Sequence, residues 1–158
     1  MAQEKRKDNL WCYLATVYPL GKSKWAPGTV GSLGGIPLAF IGKEAFGTNL
    51  LSWTLFFLAF TAFSWYVIYK AETFWRSHDD KSIVLDEVLG QAIALAPTAL
   101  GGVDILVCFA AFRLLDIWKP GPIGYCDRHL GHAFGTLMDD ILAGAIVAAG
   151  YVGVMAYI

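Results

Sequence analysis

Four short polar clusters interrupt an otherwise apolar chain, and their side chains are of kinds that handle phosphate and hard cations. Asp86-Glu87-Val88-Leu89-Gly90 and Asp139-Asp140-Ile141-Leu142-Ala143-Gly144 each open on adjacent acids. Neighbouring helical residues lie about 100° apart, so one acid of each pair faces a site while the other supports it. Gly90 follows Asp86, and Gly144 follows Asp140, by one helical turn on the same face. A glycine there leaves room beside the carboxylate for an ion or ligand. Together with Asp116, Asp86, Glu87, Asp139 and Asp140 supply the hard oxygen ligands that Mg²⁺ takes, usually alongside water and substrate phosphate. Helix N-capping is the competing explanation, worth about 0.3–1 kcal/mol for an acid near a helix start. It suits one pair alone better than two pairs with Asp116.

The third cluster, Phe112-Arg113-Leu114-Leu115-Asp116-Ile117-Trp118-Lys119-Pro120, places Arg113, Asp116 and Lys119 on one broad helical stripe before a proline stops the helix. Arg113 suits phosphate oxygens as a planar fork and Lys119 as a point charge, with Asp116 orienting one of them or binding metal. An intrahelical ion-pair ladder is the alternative. The fourth, Ala26-Pro27-Gly28-Thr29-Val30-Gly31-Ser32, resembles an anion-binding turn in which backbone N–H groups and the Thr29 and Ser32 hydroxyls meet a helix start. It lacks the lysine of a nucleotide P-loop. Gly31 and Gly35 equally suit helix packing. His78 lies beside Asp79 and Asp80 in a polar loop, and His129 and His132 follow Asp127-Arg128 in a glycine-rich one. These spacings argue against a zinc site. No GxSxG, HExxH or DxDx[TV] signature occurs, which argues against serine hydrolases, zincins and haloacid-dehalogenase phosphatases.

The elements that must position these residues are apolar helices. Of 158 residues, 56% are hydrophobic and 16% charged, and mean hydropathy is +0.51. Twelve basic residues against thirteen acidic ones leave no excess positive charge for nucleic acid. Three cysteines, Cys12, Cys108 and Cys126, fit neither a disulfide framework nor a zinc site. No secretory leader is expected from the N-terminal pattern.

Thr48 to Tyr69 is uncharged and long enough to cross a hydrocarbon core of about 30 Å, with Trp53, Trp65, Tyr66 and Tyr69 suited to the interfaces. Ile141 to Ile158 is a second such run, rich in Gly and Ala. Val88–Val103 and Ile105–Phe112 read as a helical hairpin kinked at Pro97, with Asp104 between its arms. Thr29–Gly42 is too short for an ordinary span and contains Pro37, so it is a short span, half-helix or re-entrant segment. With the N-terminus inside and this segment crossing, Lys5, Arg6, Lys7, Lys22, Lys24, Lys70, Arg76, Lys81, Arg113, Lys119 and Arg128 fall at the cytoplasmic side, and Lys43 alone outside. All four polar clusters then share the cytoplasmic face. A charge within a span costs about 2.5–3.5 kcal/mol on insertion scales, so such a gathering implies pairing, water or a bound ion. The expected fold is all-α, a small polytopic membrane bundle of four to five hydrophobic helices. Residues 1–24 form a cytoplasmic N-terminal segment, and 25–158 a single membrane-embedded helical domain.

Taken in order, Pro27–Leu33, Ile83–Gly90, Phe112–Ile123 and Gly135–Gly144 resemble the phosphatidylglycerophosphatase A family, over about residues 26–146. The resemblance implies a helical enzyme of the bacterial inner membrane. Such an enzyme removes the terminal phosphate of phosphatidylglycerophosphate, with Mg²⁺, to give phosphatidylglycerol. Asp127-Arg128 looks like the family's loop after the Pro-x-Pro-Ile turn. On the chemistry above, Asp86, Glu87, Asp139 and Asp140 are expected to hold Mg²⁺. Arg113 and Lys119 would clamp phosphate, with Thr29, Gly31 and Ser32 at its edge. Asp116, Asp140 and Glu87 are the expected catalytic carboxylates, with Asp140 or Asp116 as general base toward water and a covalent aspartyl-phosphate as the competing mechanism. The expected partners are the lipid substrate and the bilayer. The rival class is a transporter or ion pathway built on intramembrane carboxylates.

Overall fold

A computed structural model describes residues 8–77, 80–131 and 133–157. Lys5, Arg6, Lys7, His78, Asp79, His132 and the side chain of Asp127 lie outside the described residues. Among the described residues there is no strand. The helices are α1 (Leu10–Ala15), α2 (Pro27–Ser32), α3 (Gly35–Phe46), α4 (Leu50–Trp75), α5 (Leu85–Leu95), α6 (Gly102–Trp118), α7 (Pro122–His129) and α8 (Ala133–Met155), with one 3₁₀ turn at Leu20–Lys22.

Local chemistry sets most of the ends. The Asn9 and Asn49 side chains accept from the amides of Cys12 at 3.1 Å and Ser52 at 3.0 Å, opening α1 and α4. Pro27 and Pro122 occupy the first turns of α2 and α7, where a missing N–H removes no helical bond. Arg76 and Lys119 close α4 and α6 in the left-handed region, and Pro120 then forbids continuation of α6.

Several expected boundaries move. Pro97 does not kink a long arm. It lies beyond the end of α5, which stops at Leu95; Ala96 is still in helical geometry, and Pro97 has no N–H with which to continue the ladder. Asp104 does not divide two segments; it sits in the first turn of α6 and its carboxylate accepts from the Gly101 amide at 3.2 Å. The last helix starts at Ala133, eight residues before the uncharged run does. Asp139 and Asp140 therefore stand in its second turn, which removes helix-start capping as their purpose. The supposed anion-binding turn at 27–32 and the loop at 122–129 are both helical.

The elements alternate between two ends. Helices α3, α5 and α8 run away from the end that gathers the polar clusters, and α4 and α6 return to it. At the far end Lys43 Nζ donates to the Thr98 carbonyl at 2.8 Å, and Lys43, Gly47, Leu50, Pro97 and Val152 share one groove. At 26 and 23 residues, α4 and α8 extend about 39 and 34 Å. Both are long and apolar enough to cross a membrane. Helix α5 is central, packed chiefly on α8 and also on α3, α6 and α2. One apolar cluster joins α1, α4 and α8 through Cys12, Val67, Ile68, Ala71 and Leu137; a second joins α5, α6 and α8 through Leu95, Cys108, Phe112 and Ala143.

Candidate active site

The site begins with a backbone crossing. A side chain added at Gly144 would run into the Gly90 carbonyl, and one at Gly90 into the Asp140 carbonyl and the Phe112 ring. These two glycines do not leave space for a ligand, as their spacing from the acids suggested. They let the backbones of α5 and α8 touch, and so bring the acids one turn earlier on each helix face to face. Ligand oxygens of Asp86, Glu87 and Asp140 all lie within 4.8 Å of one another. Asp86, Asp139 and Asp140 are each 3% exposed.

The other acid of α8, Asp139, lies against a basic residue of α6. Asp139 pairs with Lys119 Nζ at 2.6 Å, and its other oxygen accepts from the Asp140 amide at 3.0 Å. Asp86 likewise accepts from the Glu87 amide at 3.1 Å. On α6, Arg113 pairs with Asp116 one turn on, and also donates to the Ser32 hydroxyl at 3.3 Å. Ser32 in turn donates to the Gly28 carbonyl at 2.8 Å. Thus one rung of an intrahelical ladder, Arg113–Asp116, forms along α6, and both basic residues also reach other helices. Arg113 is held between α6 and α2, and Lys119 ties α6 to α8.

These residues surround a cavity of about 660 Å³. All four polar clusters reach it: Ala26, Pro27 and Gly28; Asp86 and Glu87; Arg113, Asp116 and Lys119; Asp139 and Asp140. Gly28 leaves room for the ends of the Glu87 and Arg113 side chains, which an added side chain there would have to displace. Thr29, Gly31 and Ser32 do not form its wall. Gly31 packs on Val84, Thr29 is half-buried, and Ser32 is buried behind Arg113. His129 stacks on Tyr125 at 4.2 Å, on the exposed side of α7. Sequence reasoning passed over Asp80, Lys81, Ile83, Ile117 and Thr136 as parts of the wall. Of these, Ile83, Ile117 and Thr136 lie within the segments that carry the family resemblance, and Thr136 stands one turn before Asp140 on α8.

The charge of the cavity wall decides what it accepts. Six carboxylates (Asp80, Asp86, Glu87, Asp116, Asp139, Asp140) face three basic groups (Lys81, Arg113, Lys119), a net charge of −3. Lys119 and Arg113 lie against Asp139 and Asp116, which leaves Asp86, Glu87 and Asp140 as a group of like charges. Glu87 Oε2 and Asp140 Oδ1 are buried with no hydrogen-bond partner among the described residues. Buried carboxylate oxygens without donors are costly, and a hard divalent cation satisfies several at once. The donor set therefore fits Mg²⁺: three carboxylates close enough to share one ion, and room beside them for water and phosphate oxygens.

A bundle that is all-helical among the described residues, with two helices long and apolar enough to span a bilayer and a cavity of acidic and basic side chains at one end, has the architecture of a small membrane protein. Its family follows from comparison with known proteins. The chain belongs to the phosphatidylglycerophosphatase A family, whose model matches residues 13–155. It is 33% identical over 147 residues to phosphatidylglycerophosphatase A of Escherichia coli (strain K12), spanning 90% of this chain and 82% of that protein. It is 40% identical over 135 residues to phosphatidylglycerophosphatase A of Haemophilus influenzae (strain ATCC 51907 / DSM 11121 / KW20 / Rd), spanning 82% of this chain and 79% of that one. No solved structure matches the chain.

Proposed function

We propose that the protein hydrolyses the terminal phosphomonoester of phosphatidylglycerophosphate to phosphatidylglycerol, using Mg²⁺, at the cytoplasmic face of a bacterial inner membrane that it crosses several times. The activity is that named for its relatives. The observation that carries it to these residues is the meeting of all four polar clusters of the family resemblance in one cavity at one end of the bundle. Ion transport is disfavoured by the same asymmetry: among the described residues the two grooves at the far end have one charged lining residue each, Lys43 and Asp104, against the gathered carboxylates at this end.

Asp86, Glu87 and Asp140 hold the cation, with Asp139 beside them steered by Lys119. A Mg²⁺ ion held by these carboxylates would supply positive charge opposite the phosphoryl oxygens and make a nearby water easier to deprotonate. Arg113, its guanidinium oriented by Asp116 and Ser32, presents remaining N–H donors to the phosphate, and Lys119 adds a second positive charge. Thr29 and Gly31 act indirectly, through the α2 backbone that holds Gly28 and Ser32 in place. Asp116 lies against Arg113 and outside the three-carboxylate group. It is the base that takes the proton from the attacking water as the phosphorus–oxygen bond to the lipid breaks, and the departing lipid alkoxide takes a proton from solvent water to leave as the alcohol.

Phosphate release from phosphatidylglycerophosphate by the purified protein tests the activity: release with Mg²⁺ and none after chelation is expected. No release under either condition overturns it. Single turnover in ¹⁸O-labelled water separates direct attack from an aspartyl-phosphate. Label in the freed phosphate and none in the protein is the expected result, while label trapped in an aspartate overturns attack by water.

A further inference from the structure

Glu72 is an acid in the wrong place for its own helix. It lies in the last turn of α4, where the carbonyl ends of the helix disfavour negative charge, and it is only 3% exposed. Its backbone carbonyl accepts from the Arg76 amide that closes the helix. A buried carboxylate there calls for a positively polarised partner. The explanation lies 61 residues away: Glu72 Oε2 accepts from the Ala133 amide at 3.1 Å, at the first residue of α8. Ala133 is 1% exposed, so its amide has little recourse to water. The start of α8 carries unpaired N–H groups and the positive end of a helix dipole, and a carboxylate satisfies both.

The consequence reaches the site. Asp139 and Asp140 follow Ala133 by six and seven residues on the same rigid helix, about 9–10 Å along its axis. The α5–α8 backbone contact at Gly90 and Gly144 fixes how closely the two helices approach. The Glu72 contact fixes α8 at its other side, at the height where it begins. A helix held at both points cannot slide or rotate without separating Asp140 from Asp86 and Glu87.

We infer that Glu72 is a positioning residue for the catalytic acids, setting the axial height of α8 through the Ala133 amide without touching substrate. The inference rests on the proposed phosphatase activity, and its test has a readout independent of it. In Glu72→Ala, hydrogen exchange of the amides at residues 133–136 should rise about tenfold or more. The kcat for phosphate release should fall by about 10–100-fold, the range for lost supporting contacts, while KM for the lipid stays within about twofold. Glu72→Gln keeps an acceptor oxygen and loses only the charge. It should restore most of kcat, leaving exchange raised about two- to fivefold, and it carries the test alone if the alanine variant does not fold. Unchanged exchange in the variants, or raised exchange with unchanged kcat, overturns the inference. So does a change confined to KM, because that would place Glu72 against substrate. A wild type that releases no phosphate would defeat the proposed activity, while the exchange comparison would still decide whether Glu72 holds α8.

Discussion

Helices α4 and α5 treat burial in opposite ways. Helix α4 runs 26 residues, uncharged before Lys70, and buries seven of them; α5 runs 11 residues, carries two acids, and buries nine. Leu50, Leu51, Leu55 and Leu58 of α4 are all more than half exposed, whereas Asp86 of α5 is 3% exposed. In water this would be an inverted protein. In a bilayer it is ordinary, because lipid tails are as apolar as leucine and exposing α4 to them costs little. What must be enclosed is the polar material, and glycines at the α5–α8 crossing do that by letting two backbones touch. Hydrophobicity here marks the surface, and charge marks the interior.

This contrast can be broken at four points, taken from the largest expected effect downward. Asp140→Asn and Glu87→Gln should each cut phosphate release by about 10²–10³-fold, since each removes one of three clustered carboxylates needed against a developing charge. Retained activity in either would detach the carboxylate group from the chemistry. Gly90→Ala should follow, destabilising the fold by about 1–3 kcal/mol in thermal unfolding and lowering kcat by up to about 10²-fold as α5 and α8 are pushed apart. Ser32→Ala should cost about 1 kcal/mol in phosphate release, roughly fivefold in kcat/KM, by loosening Arg113. At the other extreme, Leu58→Ala on the lipid side of α4 should change stability by less than about 0.5 kcal/mol and leave kcat unaltered. A large effect there would mean that the exposed face of α4 is covered by another protein surface.

Much of the site was legible because its residues are rare in such company. Carboxylates and an arginine within apolar stretches stand out by their insertion cost alone, and alternating spans with basic residues on one side predict that the four clusters meet. They do meet. The pairings were not legible. That Lys119 turns to Asp139 and Arg113 reaches Ser32 depends on the approach of α6 to α8 and α2, which no single segment encodes. Gly90 and Gly144 were noticed for the right spacing and assigned the wrong purpose, since a glycine beside an acid looks the same whether it makes room for an ion or for another backbone. Helix boundaries failed where charge was mistaken for an end. Asp139 and Asp140 interrupt an apolar run yet lie inside α8, where Lys119 of α6 answers Asp139 and Asp140 faces the other acids of the cavity. Glu72 gave no sequence signal at all, because its partner is a backbone amide on another helix.

The central claim is that Asp86, Glu87 and Asp140 share a divalent cation. Equilibrium binding of Mn²⁺, a spectroscopically visible substitute for Mg²⁺, to the purified protein tests it most directly. The wild type should bind an ion that Mg²⁺ displaces, and Asp140→Asn should bind it about 10-fold or more weakly while its helical content is unchanged. Equal affinity in the two proteins, or no Mg²⁺-displaceable binding in the wild type, would contradict it.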